Sequence, residues 1–368
     1  MALDSLETPA AVVDLDRMER NLERAATYAR DHGIRLRPHI KTHKSLYVAA
    51  AQLRLGASGL TCATPFEMEV MSSICDDLLN AYPPAPAQRA RRIVATGSRA
   101  RITVALDSHG SIDFIADAAR EVDRTVGVYV ELDVGLHRVG VAAADEAISL
   151  ARDIVSRPSL RFEGVQIYPG HIRESVDSQD AALERLASEL GRTLAAFDAA
   201  GLTPPTVSAG STPTLWRSHE IPRITEIRPG SYVYNDRTTA AIGSCALDDC
   251  ALSVLTTVVS TSVPGQAVID AGSKALGREP VRGAEGEGFG QLLEHPEVLV
   301  TRMSEEHGIV DLRDSAWRPV VGERVRVIPN HGCVTVHLYD LMYGVRNDTV
   351  ELSWPVDARG RGQRPVTS

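Results

Sequence analysis

Two lysines and two histidines crowd the octet Arg37-Pro38-His39-Ile40-Lys41-Thr42-His43-Lys44. An amine partly removed from water and set among other cations gives up its proton more readily, and the free amine condenses with a carbonyl to form a Schiff base near neutral pH. Alone, the octet also reads as a basic surface turn, so its meaning depends on what accompanies it. A second reactive group is Pro329-Asn330-His331-Gly332-Cys333. On a strand, His331 and Cys333 share a face with their backbones about 6.6 Å apart, whereas His337 lies about 13 Å from His331, too far to join them easily. Two such ligands leave a Zn-like ion open to water and substrate, as a Lewis-acid site requires. The competing reading is a buried histidine beside a structural thiol. Two turns supply hydroxyls and close-approach amides suited to a phosphate: Ser208-Ala209-Gly210-Ser211-Thr212, just before Pro213 where a helix is expected to begin, and Arg228-Pro229-Gly230-Ser231. Each by itself is only a turn.

The elements that position these groups alternate. Pro38 biases Arg37 towards an extended conformation, so a short strand is expected to run into Lys41. Before it, Asp14 to Asp31 reads as a helix, with Asp16 and Glu19 as a capping box and Gly33 as its stop. After it, helices are expected over Ser45–Leu55, from Thr64-Pro65-Phe66-Glu67 onward with Thr64 as cap and Glu67 closing the box, and over Ser111–Glu121, Ala144–Ser156 and Gln179–Ala199. Extended segments fall at Gly59–Ala63, Ile74–Leu79, Ile102–Leu106, Val126–Leu132, Phe162–Tyr168, Thr206–Ser208 and Glu226–Arg228. About eight strand-helix units result, the number that closes a (β/α)8 barrel with its active site at the strands' C-terminal ends. Lys41 stands at the first such end and the two turns at the seventh and eighth, an arrangement that suggests pyridoxal 5'-phosphate across the mouth.

From about Ala246 the pattern becomes runs of valine, threonine and leucine, namely Leu252–Val259, Ala267–Asp270, Val298–Met303, Val325–Ile328 and Val334–Tyr343. The expected organisation is a barrel over residues 14–245 and a β domain of residues 1–13 with 246–368 that carries the His331-Cys333 pair. Gly283–Gly290 does not fit a nucleotide fingerprint and reads as a loop. Asp270, Lys274 and Glu305-Glu306-His307-Gly308 receive no role. A net charge of -9 without a long basic run disfavours nucleic acid as a partner. Met1 to Thr8 lacks the apolar core of a signal peptide, no stretch approaches transmembrane length, and the five scattered cysteines suit reduced thiols, so a soluble cytoplasmic enzyme is expected.

Taken together, the Lys41 octet and the His331-Gly332-Cys333-Val334-Thr335-Val336 run resemble motifs of the fold-type III pyridoxal-phosphate family of D-threonine aldolase, D-serine dehydratase and D-threo-3-hydroxyaspartate dehydratase, distantly related to alanine racemase. The resemblance covers almost the whole chain. It implies that Lys41 bears the cofactor as a Schiff base, and that His331 and Cys333 bind a divalent metal, Zn, Mn or Mg. It further implies that Arg138 contacts the cofactor's phenolic oxygen, that Thr212, Gly230 and Ser231 hold its phosphate, and that Tyr168 lies near it. Where the serine dehydratase form has a second tyrosine seven residues after Tyr168, this chain has Ser175. The activity implied is that of a lyase on a D-β-hydroxy amino acid, with dehydration favoured because dehydratases of the family tend to carry His-x-Cys and the aldolases His-x-Asp. Retro-aldol cleavage to glycine and an aldehyde is the alternative. A racemase would leave the metal motif without purpose, and a non-catalytic cofactor carrier would need only a barrel. A homodimer is the family expectation.

Overall fold

The computed structural model describes residues 1–281 and 288–363. The chain divides into two compact units, Met1–Glu23 with Ser231–Arg359, and Arg24–Gly230 with the segment from Gly360. A strand β1 (Ala10–Asp14) and a helix α1 (Leu15–Asp31) come first. Leu15, Met18, Leu22, Ala25 and Ala29 are all buried, so the apolar stripe recurring at helical spacing is the face that packs. The start of α1 corrects the expected capping box. Asp14 caps it instead, accepting from the Arg17 N–H at 2.9 Å, while Asp16 and Glu19 pair with the guanidinium of Arg346.

In the unit of residues 24–230, β2 (Arg35–Leu36) is followed by α2 (Leu46–Arg54), β3 (Leu60–Cys62), α3 (Pro65–Met71), β4 (Asp77–Asn80), α4 (Ala87–Val94), β5 (Arg101–Leu106), α5 (His109–Glu121), β6 (Val126–Leu132), α6 (Ala144–Ser156), β7 (Leu160–Ile167), α7 (Asp180–Ala199), β8 (Thr206–Ala209) and β9 (Glu226–Ile227). These eight parallel strands curl in the order β2-β9-β8-β7-β6-β5-β4-β3. The two ends of the sheet meet through a bridge between His39 and Thr61, with the Ile40 N–H donating to Thr61 O at 2.9 Å. The parallel α/β architecture read from the sequence is thus the observed one, and the stretch that joins its ends is the one that leads into Lys41. Every residue of β6 is buried, as a parallel strand covered on both faces requires. Ile74 lies outside the strand expected to include it. Its N–H finishes the turn after α3 by donating to Met71 O, and its side chain is exposed. At α3 the cap is Thr64, which accepts from the Glu67 N–H at 3.2 Å, but Glu67 takes the N–H of Ala63 at 2.6 Å and pairs with Lys44.

Glu131, Gln166, Ser208 and Glu226 stand side by side on adjacent strands and form a polar belt inside the barrel. Glu226 accepts from Ser208 Oγ at 2.6 Å and from Arg37 Nε at 2.8 Å, and Arg37 also reaches Asp77 Oδ1 at 2.7 Å. Burial works to raise the Glu226 pKa, but the Arg37 charge and the Ser208 hydroxyl outweigh it and hold the carboxyl below its ordinary 4.5. A carboxyl depressed by folding stabilises the native state above its unfolded pKa, and that contribution is lost as pH falls through the folded value. Urea unfolding followed by circular dichroism should therefore show stability falling below pH 4.5. Glu226→Ala, which leaves Arg37 charged and buried, should cost about 3–5 kcal/mol. A variant as stable as the parent would contradict this account.

The other unit contains α8 (Arg237–Ala241), β10 (Leu252–Ser260), β11 (Gln266–Ile269), α9 (Ser273–Leu276), β12 (Gly290–Leu292), β13 (Val300–Met303), β14 (Gly308–Asp311), β15 (Arg324–Pro329), α10 (Gly332–His337), β16 (Leu341–Arg346) and β17 (Thr349–Pro355). With β1, its strands form a nine-stranded sheet ordered β13-β14-β11-β10-β1-β16-β17, in which β15 joins β10 to β12. All pairings are antiparallel except that of β1 with β16. Val254, Ile269, Leu292, Val310, Trp317 and Val327 pack one core against this sheet. The strand expected over Val334–Tyr343 is corrected: the chain forms α10 first and becomes extended only from Leu341. Of the glycine-rich loop expected over 283–290, residues 283–287 lie outside the described residues, and Gly290 opens β12. No helix among the described residues is long and apolar enough to cross a membrane.

Candidate active site

Lys41 lies in the turn that follows β2 and the His39 bridge, at the C-terminal end of the barrel strands, and it is half-buried. The cations around it are neutralised one by one. Burial drives the His39 imidazole well below its ordinary pKa, helped by repulsion from Lys41 and Arg228, and burial pushes His43 down to about 3, so both rings are neutral near pH 7. Lys44 is paired with the buried carboxylate of Glu67. Among the described residues Lys41 forms no ion pair, which leaves it as the uncompensated amine of the octet. Its Nζ lies 5.7 Å from the centroid of the Tyr168 ring, and Arg138 Cζ lies 4.6 Å from that same centroid. Tyr168 follows β7 and is fixed from behind, since a Cβ on Gly170 would fall 2.3 Å from its ring. Arg138 comes from the loop after β6, where Asp133 Oδ1 accepts from the N–H groups of Gly135 and His137, each at 3.0 Å.

The two glycine turns stand on the same rim. Ser211, Thr212 and Thr214 follow β8, with Ser211 Oγ and Thr214 Oγ1 2.9 Å apart. The helical turn after Pro213 is a 3-10 turn over Leu215–Glu220, shorter and later than the helix expected there. After β9, Gly230 presses on the Lys41 segment, because a Cβ there would lie 3.0 Å from Thr42 Oγ1 and 3.2 Å from His39 O. The eighth strand's turn is thereby held against the first strand's lysine, leaving backbone rather than side chain to face a phosphate. An amine, an arginine, an aromatic ring, a hydroxyl-bearing turn and a close-approach glycine on one rim fit pyridoxal phosphate.

Beneath them lie two groups to which the sequence reading gave no individual role. Arg228 is buried and donates to Ser208 Oγ at 2.5 Å and to Ile167 O at 2.9 Å. Burial lowers its pKa, against the pull of the Glu226 and Glu131 carboxylates. Burial raises Glu131, partly relieved by Arg228 and Arg138. The belt thus sets the charge under the rim. Its sequence signal was only an arginine before Pro-Gly at a strand end.

In the unit that contains residues 231–359, the expected extended pairing of His331 and Cys333 is corrected. His331 is the extended residue that precedes α10, and Cys333 lies within its first turn. The two still stand one residue apart at the start of α10, and Ser231 Oγ lies 3.7 Å from Cys333 Sγ. The residue missed from sequence is Asp236. Its Oδ2 lies 3.2 Å from His331 Nδ1 and accepts from the Gly332 N–H at 3.0 Å, while its Oδ1 accepts from the Thr239 N–H at 2.9 Å. Burial works to lower the His331 pKa, but Asp236 and Cys333 raise it to about 10. A carboxylate bonded to one ring nitrogen orients the other towards a cation and increases its basicity. Imidazole and thiolate donors suit zinc. Among the described residues no three His, Cys, Asp or Glu side chains converge on one point, so this pair would hold a cation with positions left open.

Residues 13–238 match the family described as the alanine racemase N-terminal domain, and residues 251–345 match the putative serine dehydratase domain. The chain is 36% identical over 349 residues to the D-threo-3-hydroxyaspartate dehydratase of Delftia sp. (strain HT23), covering 90% of this chain and 92% of that one. It is 32% identical over 371 residues to the 3-hydroxy-D-aspartate aldolase of Paracoccus denitrificans (strain Pd 1222), covering 97% and 93%. Among solved structures, the D-threonine aldolase from Filomicrobium marinum superimposes with a TM-score of 0.89 at 32% identity, covering 98% of this chain and 97% of that one.

Proposed function

The chain belongs to the alanine racemase-like family of D-threonine aldolases and D-serine dehydratases, whose members are pyridoxal-phosphate enzymes, and on that premise we propose that it is a metal-assisted lyase that dehydrates a D-β-hydroxy amino acid to a 2-oxo acid and ammonia. The observation that carries the reading is the Tyr168 ring faced by both Lys41 Nζ and Arg138 Cζ on the barrel rim. When bound, pyridoxal phosphate supplies an electron sink for charge developing at Cα, and a divalent cation supplies a Lewis acid for the β-hydroxyl.

The chain's own residues supply the rest. Lys41 would hold the cofactor through Nζ, and the same nitrogen, when free, would be the base that takes the Cα proton. Its chemical partners are spared competition, because His39 and His43 are neutral and Lys44 is committed to Glu67. By the family resemblance, Arg138 would hold the cofactor at its phenolic oxygen, and Thr212, Gly230 and Ser231 at its phosphate. His331 and Cys333 would hold the cation, and Asp236 fixes the imidazole by its Nδ1 atom.

Dehydration is preferred to retro-aldol cleavage because Cys333 stands where the resemblance puts cysteine in dehydratases and aspartate in aldolases. The relation to an aldolase along 97% of the chain keeps cleavage as the alternative. Product analysis separates them. Purified protein with pyridoxal phosphate and a divalent cation should convert D-serine, D-threonine or a D-3-hydroxyaspartate to oxo acid with one ammonia per turnover. Glycine with an aldehyde or glyoxylate would assign the cleavage reaction instead.

A further inference from the structure

Arg138 rides on a loop whose two ends close on one another. Leu132, at the end of β6, bridges Val141, the Asp133 N–H donates to Val141 O at 3.0 Å, and the Val141 N–H donates to Glu131 O at 3.0 Å. Before Arg138 the loop is held by its own Asp133, which takes the N–H groups of Gly135 and His137. After Arg138 it is held from the neighbouring strand: the Gly140 N–H donates at 2.9 Å to Oδ2 of Asp107, the residue that follows β5. Gly140 makes that contact possible. At φ +101 it brings the chain so close to the end of β6 that a Cβ would fall 2.6 Å from the Asp133 nitrogen, a path open to a residue without a side chain.

Asp107 is half-buried and, among the described residues, forms no ion pair. A carboxylate partly withdrawn from water with no cation bonded to it is a costly acceptor for one backbone amide, which points to a task beyond folding. Its charge is felt inside the site. Burial raises the Glu131 pKa, Arg228 and Arg138 lower it, and Asp107 raises it further, so Asp107 and Arg138 stand within electrostatic reach of one buried carboxyl. Arg138 Cζ in turn lies 4.6 Å from the centroid of the Tyr168 ring, which Lys41 Nζ faces at 5.7 Å. Asp107 is thereby linked to the reactive amine through Gly140, Arg138 and Tyr168.

We propose that Asp107 is a positioning residue for Arg138: by holding Gly140 it pins the far end of the loop and keeps the guanidinium over the Tyr168 ring, where it meets the cofactor's phenolic oxygen. The inference rests on the cofactor reading above, in which Arg138 serves that oxygen. A hydrogen bond to a charged acceptor is the stronger sort, and a misplacement of about 1 Å at a reacting centre costs on the order of 10²-fold in rate. A guanidinium beside the phenolic oxygen keeps it ionised at neutral pH. Displacing Arg138 lets that oxygen take up a proton, a change visible in the bound cofactor's absorbance.

Hydrogen exchange on the cofactor-free protein reads the clamp itself. Peptides covering residues 134–141 should exchange faster in Asp107→Ala than in the parent, and near the parental rate in Asp107→Asn, which keeps an acceptor oxygen. In the loaded enzyme, Asp107→Ala should shift the absorbance from the yellow, ionised form towards the protonated one and slow turnover by about tenfold to a hundredfold, with Asp107→Asn recovering most of both. A merely structural aspartate would lower the melting temperature and leave the absorbance unmoved. A double-mutant cycle asks whether Asp107 acts through Arg138: Asp107→Ala should then add nothing to the loss already caused by Arg138→Ala. Losses that multiply, or an unchanged absorbance in Asp107→Ala, would overturn the proposal and leave the lyase reading standing. Unchanged absorbance and turnover in Arg138→Ala would overturn both the proposal and the role of Arg138 on which it rests.

Discussion

Replacing Lys41 with alanine should give a folded protein that has lost its covalent hold on the cofactor and nearly all turnover. The fold should survive because Lys41 is half-buried and, among the described residues, contributes no ion pair, unlike its neighbour Lys44. The function should fail because the same nitrogen is asked to anchor the cofactor and to carry the Cα proton, two tasks for which no other amine on the rim is free. Loss of a positioned base costs about 10²–10⁴-fold by itself, and loss of the nucleophile compounds it. Borohydride reduction followed by peptide mass spectrometry reads this directly: the parent should carry the cofactor's mass on the peptide containing Lys41, and Lys41→Ala should carry none. An unchanged visible spectrum in Lys41→Ala would move the Schiff base to another lysine.

Stripping the divalent cation should stop turnover while the cofactor stays bound, and returning the cation should restore it. His331→Ala and Cys333→Ala each remove one of the two proposed protein ligands, so either should abolish tight metal binding in a direct titration. Asp236→Asn is the more instructive variant. It preserves both ligands and the shape of the site but replaces the buried carboxylate facing His331 Nδ1, and should weaken metal affinity by about 10–100-fold. Full activity after exhaustive chelation would sink the metal assignment, and an Asp236→Asn protein with parental affinity would reduce Asp236 to a structural cap for α8.

How much of this was legible in the sequence depended on how local the determining interactions were. The helices over Ala144–Ser156 and near Ser111–Glu121 fall where the apolar spacing put them, because an amphipathic stripe needs no knowledge of its partner. The basic octet and the His-x-Cys run were recognisable because their residue types are chemically unusual wherever they stand. The segment after His331 was misread for the complementary reason. Val334, Thr335 and Val336 favour a strand by propensity, but Thr335 Oγ1 donates to Leu276 O at 2.9 Å and the N–H groups of Val334 and Thr335 fold back on His331 O, so long-range packing selects a helix.

Composition and spacing alone therefore determined that this chain alternates strands and helices around a reactive lysine, then turns to β structure carrying an imidazole and a thiol. Only the tertiary structure decided which charges matter. Glu67 comes 23 residues after Lys44 to neutralise it, Arg37 and Glu226 meet across 189 residues, and Asp236 reaches His331 across 95. Ion pairs and buried hydrogen bonds act through space at a few ångströms and leave no periodic trace along the chain. The amine at Lys41 and the imidazole at His331 are visible in the sequence, whereas the neighbours that leave the amine unpaired and orient the imidazole are brought to them only by the fold.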